Sequence, residues 1–188
     1  MTSDEVIALL TEIGAISMGH FVLSSGRHSD FYVEKFRAFE RPEAAMRFGA
    51  AIAEKFQDDN IDVVLAPAVG GIILGFATAH ALGARSIFAE REGGVMTLRR
   101  GFLIYPDEKV LVVEDIITTG KSLREILPLA APGDLAGIGA LVDRSIGGEE
   151  WPARFENLST LDVVSWPADD CPLCSQGVPT AAPGSRHL

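Results

Sequence analysis

Residues 109–123 read KVLVVEDIITTGKSL, and within them sit most of the side chains able to do chemistry on a charged small molecule. Ionised Glu114 and Asp115 only accept hydrogen bonds. Thr118, Thr119, Gly120, Lys121 and Ser122 bring hydroxyls, a glycine and exposed amides together, a composition suited to cradling an anion at a helix start. Acids beside an anion cradle make sense when the ligand carries a phosphate and several hydroxyl groups: the cradle takes the phosphate and the carboxylates take the hydroxyls. A plain solvated loop is the bland alternative, but a generic strand-to-helix turn more often holds one polar cap than two acids and three hydroxyls. A P-loop is excluded, because the glycine it needs five residues before Gly120 is Asp115. The pattern therefore points to a phosphoribosyl group, with its 5′-phosphate on Thr118–Ser122 and its ribose hydroxyls on Glu114 and Asp115.

These residues need a scaffold. Val110–Val113 form a β-branched run of the kind buried on both faces of a parallel sheet. Thr2 and Glu5 fit a capping box, followed by Val6, Leu9, Leu10 and Ile13, with Gly14 as a stop. Pro42 suits the first turn of a second helix running to about Phe56. IDVVLAPAVGGIILGFATAHALGA reads as strand, glycine turn and helix, RSIFA as a strand, and KVLVVED with the helix after Ser122 as another such unit. LAGIGALVD supplies a further buried strand. Strands alternating with helices predict an α/β domain with a mainly parallel sheet flanked by helices. Ligands of such sheets bind beyond the carboxyl ends of the strands, where Glu114, Asp115, Gly70 and Gly71 fall.

The bulk composition narrows the partners. A chain of 188 residues, 47% hydrophobic, is long enough for one good core. Its formal charge of −10 argues against general attraction to nucleic acid or anionic lipid, so a phosphate site must be local. The opening MTSDEVIALL lacks the basic segment of a signal peptide, and no apolar run is of membrane-spanning length. Two cysteines make no disulfide framework. The expectation is a cytoplasmic protein.

VLVVEDIITTGKSL resembles the phosphoribosyl-pyrophosphate motif of the type I phosphoribosyltransferases, which purine and pyrimidine enzymes share. Residues 19–33, GHFVLSSGRHSDFYV, resemble the amino-terminal signature of orotate phosphoribosyltransferases. APAVGG resembles their pyrophosphate loop, VDR their orotate-contacting segment, and CPLCSQGVPTAAPGSR a tail of one bacterial branch. The likeness runs over most of the chain. It implies a type I phosphoribosyltransferase fold in one domain over 1–188. A small hood would come from about 1–40 and from about 146–188, around a core of about 41–145.

It implies transfer of the phosphoribosyl group from phosphoribosyl pyrophosphate to orotate, giving orotidine 5′-monophosphate and pyrophosphate in pyrimidine synthesis. Glu114, Asp115 and Arg91 would be catalytic. Ile116, Ile117, Thr118, Thr119, Gly120, Lys121 and Ser122 would contact phosphoribosyl pyrophosphate, with Gly70, Gly71 and Arg91. Thr118, Arg144, Phe31 and Tyr32 would contact orotate. Mg²⁺ would be held mainly through substrate phosphates rather than by a protein cage. A homodimer would share its two sites through a lid, Glu90–Gly101, reaching into the neighbouring subunit. The alternatives are a purine salvage transferase, against which the first signature and VDR argue, and a ligand-sensing transcriptional regulator, which would add a basic nucleic-acid face and against which the charge of −10 argues.

The chain departs from the commoner pattern of the family. Ser24 and Gly70 stand where many members carry lysines, and the lid offers Arg91, Arg99 and Arg100 but no histidine. Backbone amides at Gly70 and Gly71 would replace one missing cation, and Arg91 would take the lid's role. His80 reads as structural within an apolar helix. His28 is a minor site candidate and otherwise a turn residue. Cys171 and Cys174 form a lone Cys-x-x-Cys, which by itself gives only half of the four ligands a zinc site needs, and the pair is left without a function.

Overall fold

The computed structural model describes residues 1–23, 25–34, 36–145 and 150–182. Ser24, the position of a missing lysine, and part of the expected carboxy-terminal hood segment lie outside them. In chain order the elements are helix α1 (Ser3–Glu12), strands β1 (Ile16–Val22) and β2 (His28–Val33), and helices α2 (Arg37–Glu40) and α3 (Pro42–Lys55). There follow β3 (Val63–Pro67), α4 (Gly70–Leu82), β4 (Arg85–Glu92), β5 (Val95–Leu98), β6 (Lys109–Ile117) and α5 (Lys121–Ile126). The chain continues with β7 (Asp134–Asp143), β8 (Phe155–Thr160) and α6 (Pro172–Ser175).

Six strands form one sheet in the order β5-β4-β3-β6-β7-β8. All its pairs are parallel except β4 with β5, an antiparallel hairpin at the edge. Burial on both faces follows from the alternation within strands. Val64, Leu111, Val113 and Leu141 join Phe48, Ile52, Phe56 and Leu74 in one core. Leu65, Ile87, Val110, Val112 and Ile138 join Leu123, Ile126 and Ile104 in the other. The predicted α/β architecture is therefore present.

Local signals placed the helices well. The α1 capping box forms, with Thr2 N–H donating to Glu5 at 2.8 Å and Glu5 N–H to the Thr2 hydroxyl at 3.3 Å. Helix α3 begins with Pro42 in its first turn. It crosses α4 so closely that a Cβ on Gly49 would lie 2.5 Å from the Ala77 carbonyl carbon. Separate from the main sheet, β1 and β2 form an antiparallel ribbon. The chain's last described segment returns to it: Trp166 exchanges backbone hydrogen bonds with His28, and Ala181 with His20 and Val22, all at 2.7–2.8 Å.

Candidate active site

Strand β6 runs through both acids and ends at Ile117, because its pairing with β7 continues to Ile117 opposite Asp143. The loop thus starts at Thr118, and Ile116 and Ile117 are strand residues. Glu114 and Asp115 are both buried, at 6% and 1% exposure, so two carboxylates are held out of water at the carboxyl end of the central strand. Each carboxylate accepts from the next backbone amide: Asp115 N–H donates to Glu114 at 3.1 Å and Ile116 N–H to Asp115 at 2.7 Å. Adjacent residues of a strand face opposite sides. Glu114 lines a small cavity with residues 116–123, whereas Asp115 lines a cleft with Leu10, Val33 and Phe39.

The cradle is shaped by Gly120, whose φ of +67° lies in the left-handed region. A Cβ there would stand 2.7 Å from the Trp151 ring. Arg124 donates to the Thr119 carbonyl and fixes the loop from behind. Thr118 and Thr119 are exposed, and Lys121 sits 3.9 Å from Glu125 on the next turn. Gly70 and Gly71 open α4 at the end of β3, and a Cβ on Gly71 would meet Pro67 at 3.0 Å. The first amides of a helix have no intrahelical acceptor, so this turn presents donors without side chains. The Ala68–Val69 peptide preceding it is cis.

Arg144 lies beside the cradle, its backbone N–H donating to the Ile117 carbonyl at 2.8 Å. Its half-buried guanidinium lines a cavity of about 210 Å³ with Ser145, Leu161, Asp162, Val163 and Val164. Burial lowers its pKa from the ordinary arginine value. Its Nε is buried with no hydrogen-bond partner among the described residues. A buried fork donor that no described residue satisfies is built for an external acceptor.

Phe31 and Tyr32, both expected to contact orotate, are set apart by the alternation along β2. Phe31 packs against the core, while Tyr32 lies 5.5 Å from Phe21, centroid to centroid, with its hydroxyl 3.3 Å from Glu34. Burial, and then Glu34, push the Tyr32 phenol up. The segment Glu90–Gly101, expected to be a lid, is largely the β4–β5 hairpin. Its cations are engaged: Arg99 with Glu92 at 3.2 Å, Arg100 with Glu90 at 3.1 Å, and Arg91 with Glu125 of α5. Arg91 therefore flanks the cradle's helix in its own chain instead of lining the cavity. Trp151, Glu125 and the Leu161–Val164 segment were not foreseen; no local pattern in the sequence marks them.

The phosphoribosyl transferase domain family matches residues 37–171. A relative from Pelotomaculum thermopropionicum named orotate phosphoribosyltransferase is 49% identical over 190 residues, covering 100% of both chains. One of the same name from a Thermoanaerobacter species is 44% identical over the same span, again with 100% of both covered. The chain belongs to the orotate phosphoribosyltransferase family. Among solved structures, orotate phosphoribosyltransferase from Mycobacterium tuberculosis in complex with inorganic phosphate superposes with a TM-score of 0.67. It is 27% identical over 84% of this chain and 94% of that one. The six-stranded, mainly parallel sheet is the core of this family's fold, and the acids, cradle and Arg144 gather at the carboxyl ends of its strands.

Proposed function

We infer that the chain is an orotate phosphoribosyltransferase, transferring the 5-phosphoribosyl group of phosphoribosyl pyrophosphate to orotate and releasing pyrophosphate, a step of pyrimidine synthesis. The observation that carries the base assignment is Arg144: a half-buried guanidinium, its Nε unsatisfied among the described residues and its backbone N–H anchored to the end of β6, suits a planar carboxylate. Orotate has that carboxylate; hypoxanthine and uracil do not.

The chemistry follows from charge. Breaking the bond from the anomeric carbon to pyrophosphate leaves positive charge on the sugar and negative charge on the leaving group, so catalysis is mainly positioning and electrostatics. Thr118–Ser122 hold the 5′-phosphate by amides and hydroxyls. Glu114, which lines the cradle's cavity, accepts from the ribose hydroxyls; Asp115, on the other side of β6, acts with it on the cationic sugar through a field that burial leaves weakly screened. The opening turn of α4 at Gly70 and Gly71 donates to the pyrophosphate, as does Arg91 once it leaves Glu125. Arg144 orients orotate with its nucleophilic nitrogen toward the anomeric carbon, with Thr118 at the ring's edge. Of the two aromatics, Tyr32 is the one not committed to the core. The carboxylate and hydroxyl oxygens here are hard donors that fit Mg²⁺, which when bound to the substrate's phosphates neutralises leaving-group charge.

The chain acts as a homodimer. Helix α4 leaves Ile73 and Phe76 exposed at 45% and 60%, along a groove of about 550 Å³ that also includes Ile72, His80 and Phe88. A helix with so little polar face is suited to burial on both sides. The lid hairpin of one subunit then serves the other's site. No helix of the described residues is long and apolar enough to cross a membrane, consistent with a cytoplasmic enzyme. The direct test mixes pure protein with phosphoribosyl pyrophosphate, Mg²⁺ and a panel of bases and follows orotate absorbance. Reaction of hypoxanthine or uracil, with none of orotate, would overturn the assignment.

A further inference from the structure

Four ligand atoms converge far from the cradle. His20, His28, Cys171 and Cys174 each present one nitrogen or sulfur, and these atoms all lie within 4.8 Å of one another. His20 Nε2 is 2.8 Å from His28 Nδ1 and 3.4 Å from the Cys171 sulfur, and Cys174 is 3.3 Å from His28 Nδ1. Zn–N bonds of about 2.0–2.1 Å and Zn–S bonds of about 2.3 Å make a tetrahedron with edges of about 3.3–3.8 Å. The sulfur–nitrogen contacts already match, and the two imidazoles need to part by about half an ångström.

The surroundings are those of a ligand set. His20, His28 and Cys171 are buried at 3%, 8% and 4% exposure. His20 Nδ1 lies 2.8 Å from the Val178 carbonyl. That carbonyl only accepts, so it fixes the proton on Nδ1 and leaves the Nε2 lone pair aimed at the cluster, the usual support for a metal-bound histidine. The pairing of β1 with β2 shifts register between Met18 and Phe21, which leaves His20 and Phe21 both buried although they are neighbours. A bulge of this kind re-aims a side chain, and here it turns His20 inward. Cys171 is the N-cap of α6 and Cys174 lies within it, so the short helix sets the spacing of the two sulfurs.

We propose that His20 Nε2, His28 Nδ1, Cys171 and Cys174 bind one structural Zn²⁺ that staples the carboxy-terminal segment to the β1–β2 ribbon. Two thiolates and two imidazoles select zinc over Mg²⁺ or Ca²⁺, which take oxygen ligands. Four protein ligands close the coordination sphere, so the ion is structural and not catalytic. The half-site seen in the Cys-x-x-Cys alone is completed by two histidines more than 140 residues away in sequence. The need for a staple is physical: an isolated two-stranded ribbon is marginally stable, and among the described residues this one meets the tail through the bridges at Trp166 and Ala181 and a few side-chain bonds. The same ribbon holds Val164, at the edge of the Arg144 cavity, through the Ser29 hydroxyl at 2.8 Å.

The test is elemental mass spectrometry on the purified full-length protein after dialysis, with metal content read per chain. About one zinc per chain is expected. Replacement by Co²⁺ should give visible bands of a tetrahedral site with sulfur-to-metal charge transfer. Cys171→Ser and His28→Ala should each lower retained zinc at least about tenfold and lower Tm. If those variants do not fold, titrating the wild-type thiols with a mercurial reagent should release zinc in step with two sulfurs, and tail cleavage by protease should then rise. Folded wild-type protein with two free thiols, negligible zinc, and no change in Tm or cobalt spectrum on adding metal would overturn the proposal. So would a disulfide between the two cysteines, seen as a mass about 2 Da below the reduced chain. None of these readouts involves orotate, so they stand or fall separately from the catalytic assignment.

Discussion

Replacing Arg144 by alanine tests the base assignment most directly. In the ligand-free chain the guanidinium is half-buried, its Nε has no partner among the described residues, and burial lowers its pKa. Removing it therefore relieves a desolvated charge rather than breaking an ion pair, and apo Tm should hold or rise slightly. Catalysis should respond oppositely. A hydrogen bond to a charged group contributes about 1.5–3 kcal/mol, and at about 1.4 kcal/mol per tenfold this is a loss of roughly 10- to 150-fold in kcat/KM for orotate. Loss of both arms of a bidentate contact would sit at the upper end. The loss should appear in the KM for orotate, leave the KM for phosphoribosyl pyrophosphate nearly unchanged, and abolish the rise in Tm that orotate gives the wild type. Arg144→Lys should recover little, because an ammonium lacks the fork. Steady-state kinetics with each substrate varied in turn, alongside thermal melts, read all of this. Equal losses for both substrates, together with a lower apo Tm, would make Arg144 a structural residue and refute the reasoning.

Asp115→Asn should lower kcat/KM by roughly ten- to a hundredfold, and Glu114→Gln less, with folding preserved by circular dichroism; unchanged kinetics in both would end the sugar-reading role. Gly120→Ala should cost at least about 1–2 kcal/mol from the left-handed backbone alone, and more from the approach to Trp151, seen as a lower Tm and a raised KM for phosphoribosyl pyrophosphate. Phe76→Glu should shift sedimentation from dimer to monomer by placing a charge on the exposed α4 face; a dimer unaffected by it has its interface elsewhere. Co-assembly of an Arg91→Ala subunit with an Asp115→Asn subunit should restore at most about half the wild-type activity per dimer, since one site regains both residues. Verified heterodimers that stay inactive would show that Arg91 serves its own subunit, where it already meets Glu125.

The parts of the fold legible in the sequence are those whose cause is local. Thr2 and Glu5 announce α1 because the capping box is a contact between residues three apart. Val110–Val113 announce a buried parallel strand because every residue of the run is apolar. Strand β8 is opaque for the opposite reason: FENLST is mostly polar, and it becomes a strand by lying at the sheet edge beside β7. The β1–β2 ribbon is hidden by its own irregularity, since the register shift near His20 destroys the alternation that marks a strand. The length of β6 past the acids is likewise a property of its partner, not of its own composition.

The same division separates the two sites. The acids and the proposed cradle form one continuous stretch, Glu114 to Ser122, and where a loop wraps a phosphate with successive amides and hydroxyls, spacing along the chain is spacing in space. Arg144 is nearly as legible, placed at a strand's end next door to that stretch. The His20, His28, Cys171 and Cys174 cluster has no such shortcut. Half of it advertises itself as a Cys-x-x-Cys, but the other half comes from a bulge and a strand start whose pairing with the tail is set by backbone bonds at Trp166 and Ala181. Reading Cys171 and Cys174 alone leads to an incomplete site, and His28 alone leads to a turn residue. Only the fold supplies the missing premise, that the last described residues return to the first strands. The two sites also make different demands on the chain: a cradle that releases its ligand each turnover is served by exposed residues such as Thr118, Thr119 and Lys121, whereas a closed set of four ligands, three of them buried, exchanges slowly. A reagent that strips metal should therefore act through loss of the ribbon's order, reaching orotate binding by way of Val164 before it touches the phosphate loop.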